Sequence, residues 1–395
     1  MISLAVIRRM SGRDPGEPYR ASTPLELLFD LCFVVAVAQT GAQLHHSLEG
    51  GHIGAGLLGY AMVFFVIWWA WVNFVWFASA YDTDDVPYRL LTLVQIAGVL
   101  VLSAGVPAAF QRYDFRAVAV GYLVIRVAMI GQWLRAAQAD PAGRPAALRY
   151  AVGISVLQIC WLLRLFLPAP WSWVFLVVLV IGELAVPVWA QFRGNATSWH
   201  PGHIRDRYGC FTLIVLGEAV ASETIAVQSA ITDHGLSPAL LVLAFGGLLL
   251  IFALWWSYFA HEATESLRAS PGLSLLWGYV HYGIFAAVAA VGAGLSAATD
   301  SVTHTSTLSS PDTGFAVAVP VACYLLLSGW LRRQISRVPG QIFASVLVGV
   351  LLVLAAALLA PASVPLAVLA MGVVVALILA LNLVIIHRSS RTETR

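Results

Sequence analysis

Apolar runs of about 20 residues alternate with short polar turns along the whole chain. Each run can cross a bilayer core of about 30 Å as a helix. A transmembrane strand would instead alternate inward and outward residues over about 10 positions. The runs here are continuous and separated by Gly and Pro, so they predict helices. Twelve spans follow, near 24–46, 53–79, 88–110, 115–137, 147–167, 171–190, 207–230, 238–260, 271–297, 314–331, 339–360 and 365–387. The first has a defined start: Thr23 can cap it, Pro24 suits the first turn, and Glu26 completes a Thr-x-x-Glu capping box.

Composition narrows the class. Of 395 residues, 60% are hydrophobic and 11% charged, against about 25% charged in soluble domains. Mean hydropathy is +0.84. The expectation is an all-α polytopic membrane protein with no separate soluble domain. Met1 to Ile7 is too short for a signal-peptide core, and Arg8-Arg9 follow it instead of preceding it. A formal charge of +2 argues against a nucleic-acid partner. Cys32, Cys160, Cys210 and Cys323 lie in or beside apolar runs without metal-knuckle spacing, and are expected to be buried, reduced thiols.

All 22 basic residues are Arg, and their distribution predicts topology. With the N-terminus cytoplasmic, 18 Arg fall in cytoplasmic segments, Arg112 and Arg116 fall outside, and Arg126 and Arg164 lie within spans. That bias favours cytoplasmic termini and an even helix count. A weak internal repeat accompanies it. Leu27-Leu28-Phe29-Asp30 matches Val215-Leu216-Gly217-Glu218, Trp68-Trp69 matches Trp255-Trp256, and Gln95 falls opposite His281, at offsets of 186 to 188. Six helices per half predicts two parallel six-helix repeats. The expected divisions are an N-terminal tail at 1–23, a first half at 24–190, a linker at 191–206, a second half at 207–387 and a C-terminal tail at 388–395.

Carboxylates inside these runs stand out, because each costs about 3 kcal/mol or more unless it is paired or used. Asp30 and Glu218 interrupt their spans at matching places. Glu26 is expected to cap the first helix, with Asp30 one turn deeper on the same face. Asp30 is either a structural partner of an Arg or a cation or proton site. Arg126 is expected to pair with Glu183 or Asp30. Glu218 has no Arg in the middle of its own half, which makes it the better titrating acid, and His281 could share its proton. Asp82, Asp84 and Asp85 precede Arg89. They read as caps and a local ion pair, or as a cation vestibule together with Glu26 and Asp30. The His45 to His52 turn contains Gly50-Gly51 and reads as solvated, so no metal is expected. Trp68, Trp69, Trp71 and Trp76 read as packing and interfacial residues. Walker, Gly-x-Ser-x-Gly, His-Glu-x-x-His and Cys-x-x-Cys patterns are missing from the sequence, and neither enzymatic activity nor a cofactor is expected.

Several ordered motifs carry a resemblance. Glu26-Leu27-Leu28-Phe29-Asp30-Leu31-Cys32-Phe33-Val34, Asp82-Thr83-Asp84-Asp85-Val86-Pro87-Tyr88-Arg89, Trp199-His200-Pro201-Gly202-His203, Arg207 through Glu218, and Trp277-Gly278-Tyr279-Val280-His281-Tyr282 are similar to the bacterial low temperature requirement A (LtrA) family over roughly residues 24–300. The resemblance implies a membrane protein linked to growth in the cold, without a settled substrate. A fainter likeness is to the lysosomal potassium-channel family, built from two six-helix repeats. Here Phe29-Asp30 lacks that family's intervening Ser, so the likeness is an analogy of fold. The functional expectation is a cation- or proton-linked transporter or channel of the bacterial plasma membrane, using Asp30, Glu218, His281, Glu183, Arg126 and Glu26. Its expected partners are the lipid bilayer, a monovalent cation, a proton or a small solute, and a second copy of the chain. The alternatives are a lipid- or isoprenoid-binding protein or enzyme, and a structural scaffold.

Overall fold

The computed structural model describes residues 7–14, 16–17, 21–168, 170–192, 194, 197–260, 270–335 and 340–393. Arg20, Arg193, Arg268, Arg337 and Arg395 of the topology argument lie outside them, as does the side chain of Arg391. Among the described residues the chain forms twelve helices, each long and apolar enough to cross a membrane, and no strand. They are α1 Pro24–Glu49, α2 Ile53–Ala80, α3 Val86–Arg112, α4 Arg116–Ala139, α5 Arg144–Arg164, α6 Trp171–Phe192, α7 Pro201–His234, α8 Pro238–Phe259, α9 Pro271–Val302, α10 Ser310–Ile335, α11 Gly340–Ala357 and α12 Val364–Glu393.

Local chemistry sets the helix ends. The capping box of α1 forms: the Thr23 N–H and hydroxyl donate to Glu26 Oε2 at 2.7 and 3.0 Å, and Glu26 N–H donates to Thr23 Oγ1 at 3.3 Å. Asp85 caps α3 by accepting from Tyr88 N–H at 2.9 Å, and Ser237 caps α8 through Leu240 N–H at 3.1 Å. One boundary differs materially from the sequence reading. Helix α7 starts at Pro201, six residues before the expected 207. Proline at the first helical position has no N–H to leave unpaired, and His200 Nδ1 accepts from His203 N–H at 3.2 Å. Residues assigned to a linker therefore belong to the helix. Arg207, counted among the cytoplasmic arginines, is inside it and fully buried.

By packing, the chain divides into two units. One comprises residues 1–36 and 65–210, the other 37–64 and 211–395. Their boundaries pass through α1, α2 and α7, all three of which contribute to both. In the first unit α3 packs on α4, α4 on α5 and α5 on α6. In the second, α9, α10, α11 and α12 pack in succession, and α12 also packs on α8. Glycine allows the closest approaches. A Cβ on Gly98 would lie 2.8 Å from the Gly121 carbonyl oxygen, and one on Gly246 would lie 2.8 Å from Leu369 Cα. The Ala- and Gly-rich α9 is the most enclosed helix, with 83% of its apolar window buried, whereas α6 has 22%.

Helix boundaries follow the sequence repeat only in part, and burial does not follow it. The starts of α1 and α7 (Pro24 and Pro201) lie 177 residues apart, those of α2 and α8 (Ile53 and Pro238) 185 apart. Trp68 and Trp69 are each 1% exposed, whereas Trp255 and Trp256 are exposed by 45% and 54%. The cysteines are free, as expected, but not buried: three are half-buried and Cys323 is exposed on an apolar helix face. Lipid solvates such a thiol without penalty, so an apolar neighbourhood in sequence does not imply an interior position.

Candidate functional site

Two helix faces of the first unit meet in a buried charge cluster. Glu26 and Asp30 lie one turn apart on α1. His203 and Arg207, with the same spacing, lie one turn apart on α7. The Arg207 guanidinium grips Asp30 with both arms, Nε donating to Oδ2 at 2.8 Å and Nη2 to Oδ1 at 2.6 Å. Trp71 Nε1–H donates to Asp30 Oδ1 at 2.7 Å. Arg207 Nη1 also lies 3.1 Å from Glu26 Oε1, and His203 Nε2 lies 3.2 Å from the same oxygen. These four side chains are 0–1% exposed. The Phe74 ring lies 5.8 Å from the guanidinium carbon, and Tyr208 packs edge-on against Trp71. His203 Nδ1 is buried without a hydrogen-bond partner.

Of this cluster the sequence reading anticipated only the acids. Arg126 is not the partner of Asp30. It pairs with Glu183, its other expected partner, in a second buried site. Trp69 and Trp161 donate indole N–H bonds to Glu183 at 2.8 and 3.1 Å, and Tyr122 lies 5.1 Å beneath the Arg126 guanidinium. Trp69 and Trp71 are therefore donors to intramembrane acids and not interfacial anchors. The i,i+4 match between His203/Arg207 and Glu26/Asp30 was visible in the sequence. Reading Pro201 as a first helical residue would have placed both basic groups inside α7.

The acidic turn after α2 is occupied by basic groups from the chain itself. Asp85 accepts from Arg8 N–H at 2.9 Å, from Tyr88 N–H at 2.9 Å and from Arg135 Nη2 at 2.7 Å. Burial alone would raise its pKa. These donors outweigh burial and hold the carboxyl below the usual carboxylate range. Asp84 and Arg89 form a bidentate pair at 2.8 Å, both half-exposed. The side chain of Asp82 is 1% exposed with Arg13 Nη2 at 4.0 Å. Thus Asp82, Asp84 and Asp85 each face a different arginine, as caps and pairs require.

The second unit holds Glu218 and His281, which do not share a proton through a hydrogen bond. Glu218 is half-buried near the middle of α7 and accepts from Ser222 Oγ at 2.8 Å. His281 contacts Tyr258 Oη at 3.0 Å through Nε2 and the Trp277 carbonyl at 2.7 Å through Nδ1. The sequence reading passed over Glu223, which is 7% exposed. It also passed over Asp300. In the last turns of α1, His45 Nε2 contacts Asp300 Oδ2 at 2.8 Å, while Glu49 accepts from Ser306 Oγ and Thr307 N–H, both at 2.8 Å. These three side chains come close enough to share an ion, but the contacts already bind the turn at Gly50-Gly51 to the end of α9.

No curated protein matches the chain at a significant level. The family described as bacterial low temperature requirement A protein (LtrA) matches residues 21–381. The match extends through α10 and α11 and into α12, where the sequence motifs had not reached. It covers every residue of the buried clusters, and the chain belongs to the LtrA family.

Proposed function

We propose that this multi-pass membrane protein is a proton-linked transporter or channel and not an enzyme, and that the Glu26–Asp30–Arg207–His203 cluster is its proton-binding centre. One observation carries the reading: two carboxylates share one guanidinium in a site exposed by 0–1%. Arg207 keeps its charge. With both acids ionised and His203 neutral, the cluster carries one uncompensated negative charge. A buried net charge is costly, and one proton removes it. His203 and Glu26, whose facing atoms lie 3.2 Å apart, are positioned to hold that proton. The other neighbours, Trp71 and Phe74 on α2 and Tyr88 on α3, bring no fixed charge. A monovalent cation of suitable size could take the proton's place. The Arg126–Glu183 pair is neutral as it stands and serves as structure in this reading.

The Arg distribution supports a reading with both termini cytoplasmic, and in this reading the protein lies in the bacterial plasma membrane. The bilayer and the transported proton, cation or small solute are then its partners, and association with a second copy is compatible with this arrangement. Purified protein reconstituted in liposomes tests the reading through proton and cation flux under imposed gradients. Wild-type protein is expected to dissipate a pH gradient, and Glu26→Gln to reduce the rate at least tenfold while remaining folded. Glu218→Gln, assayed alongside, measures the contribution of the second unit. Failure of folded wild-type protein to move protons or any tested cation would overturn the proposal.

A further inference from the structure

Glu223 has a setting unlike that of any acid above. It is 7% exposed, and its Oε1 is buried without a hydrogen-bond partner. Its carboxyl rests against Gly247 on α8: a Cβ built there would meet the carboxyl carbon at 2.7 Å and Oε2 at 2.9 Å. The missing side chain at Gly247 makes the space the acid occupies. Helix α8 carries no Asp, Glu, Arg or His between Pro238 and Phe259. Besides α7, helices α9 and α12 pack on α8. On α9, His281 is engaged by Tyr258 and the Trp277 carbonyl, and Asp300 by His45. On α12 the ionisable side chains among the described residues, His387 and Arg388, lie near its C-terminal end. Within α7, Glu218 is bonded to Ser222. None of these forms an ion pair or hydrogen bond with Glu223.

We propose that Glu223 is a second proton-binding site, a carboxyl carried neutral in α7 and seated against the Gly247 backbone. An ionised carboxylate in an apolar span needs a counter-charge, and without one the neutral acid is favoured. The ligand of this site is therefore the proton. Eleven residues separate Glu223 from His234 at the helix end, or about 16 Å at 1.5 Å per residue. An aqueous reagent does not reach such a carboxyl easily, whereas a lipid-soluble one does.

Dicyclohexylcarbodiimide distinguishes a protonated intramembrane carboxyl from an ionised one. The acid proton passes to a carbodiimide nitrogen and the carboxylate oxygen bonds to the central carbon. Acyl migration to nitrogen then gives a stable N-acylurea, with the whole reagent added and nothing released. The full chain in lipid vesicles would be treated across a pH series and the adduct mapped by mass spectrometry.

The expected result is an adduct on Glu223 that increases as pH falls. It should be absent in Glu223→Gln, retained in Glu218→Gln, and not formed by a water-soluble carbodiimide. Gly247→Ala should displace the carboxyl and change the labelling rate at least severalfold. Because Gln is isosteric with the neutral acid, Glu223→Gln should keep the wild-type unfolding temperature. Absence of a Glu223 adduct at every pH in folded protein, or a loss of more than several degrees in Glu223→Gln, would overturn the proposal. Both readouts are independent of flux, so they stand or fall separately from the transport reading.

Discussion

Arg207 donates to both oxygens of Asp30 and leans on Glu26 as well, so its removal leaves two buried acids facing each other. Breaking such a pair from one side costs about 3–5 kcal/mol. Arg207→Gln is therefore expected to lower the unfolding temperature in detergent strongly. The Asp30→Asn/Arg207→Gln double variant should lose much less than the sum of the single losses. Strict additivity of the two losses would show that the bidentate contact is not an energetic unit. Asp85 supplies a pH test at the same scale. Its folded pKa is depressed, so its stabilising contribution is present above the unfolded value of about 3.9 and lost as pH falls through the folded value. Asp85→Asn should unfold at a lower temperature than wild type at pH 7, with the gap closing below about pH 4. A gap that stays constant over that range would mean the Asp85 charge does not contribute. Thr23, Glu26 and Asp85 were legible as caps because a cap depends on neighbours within four residues. Arg135 as the partner of Asp85, fifty residues away, was not.

At the scale of elements, apolar runs located all twelve helices because lipid makes a simple demand: every backbone polar group must be bonded within the segment. The sequence reading erred where two signals competed. Arg205 and Asp206 fell in the expected linker, with Arg207 at the very start of the seventh span, because charges usually stay out of the membrane, but Pro201 had already begun α7. Close packing of α3 on α4 provides the test at this scale. A Cβ on Gly121 would meet Leu102 Cα at 2.7 Å, so backbone atoms would have to move apart. Gly121→Val is expected to cost about 1–3 kcal/mol or more, read as lost thermal stability and yield. Gly131→Ala on the same helix meets only Leu91 side-chain atoms at 3.5–3.6 Å and should be tolerated. Equal stability of the two variants would remove close backbone approach as the reason for these glycines.

At the scale of the whole molecule, composition and span length were sufficient to establish a helical multi-pass membrane protein, since no other arrangement satisfies so apolar a chain of this length. The ordered motifs in α1, α3, α7 and α9 pointed to the LtrA family before any coordinates. Which charges meet, however, depends on which helices are neighbours and on how each is turned about its axis. Neither is written in a run of apolar residues, because lipid accepts Leu and Val on any face. The sequence therefore determined the spans, their caps and the presence of costly acids within them. Only the tertiary structure decided that Asp30 binds Arg207, that Arg126 binds Glu183, and that Glu223 lies against a glycine with no ion-pair partner among the described residues. A buried charge is satisfied by whatever stands within about 3 Å of it, and that distance is set by folding.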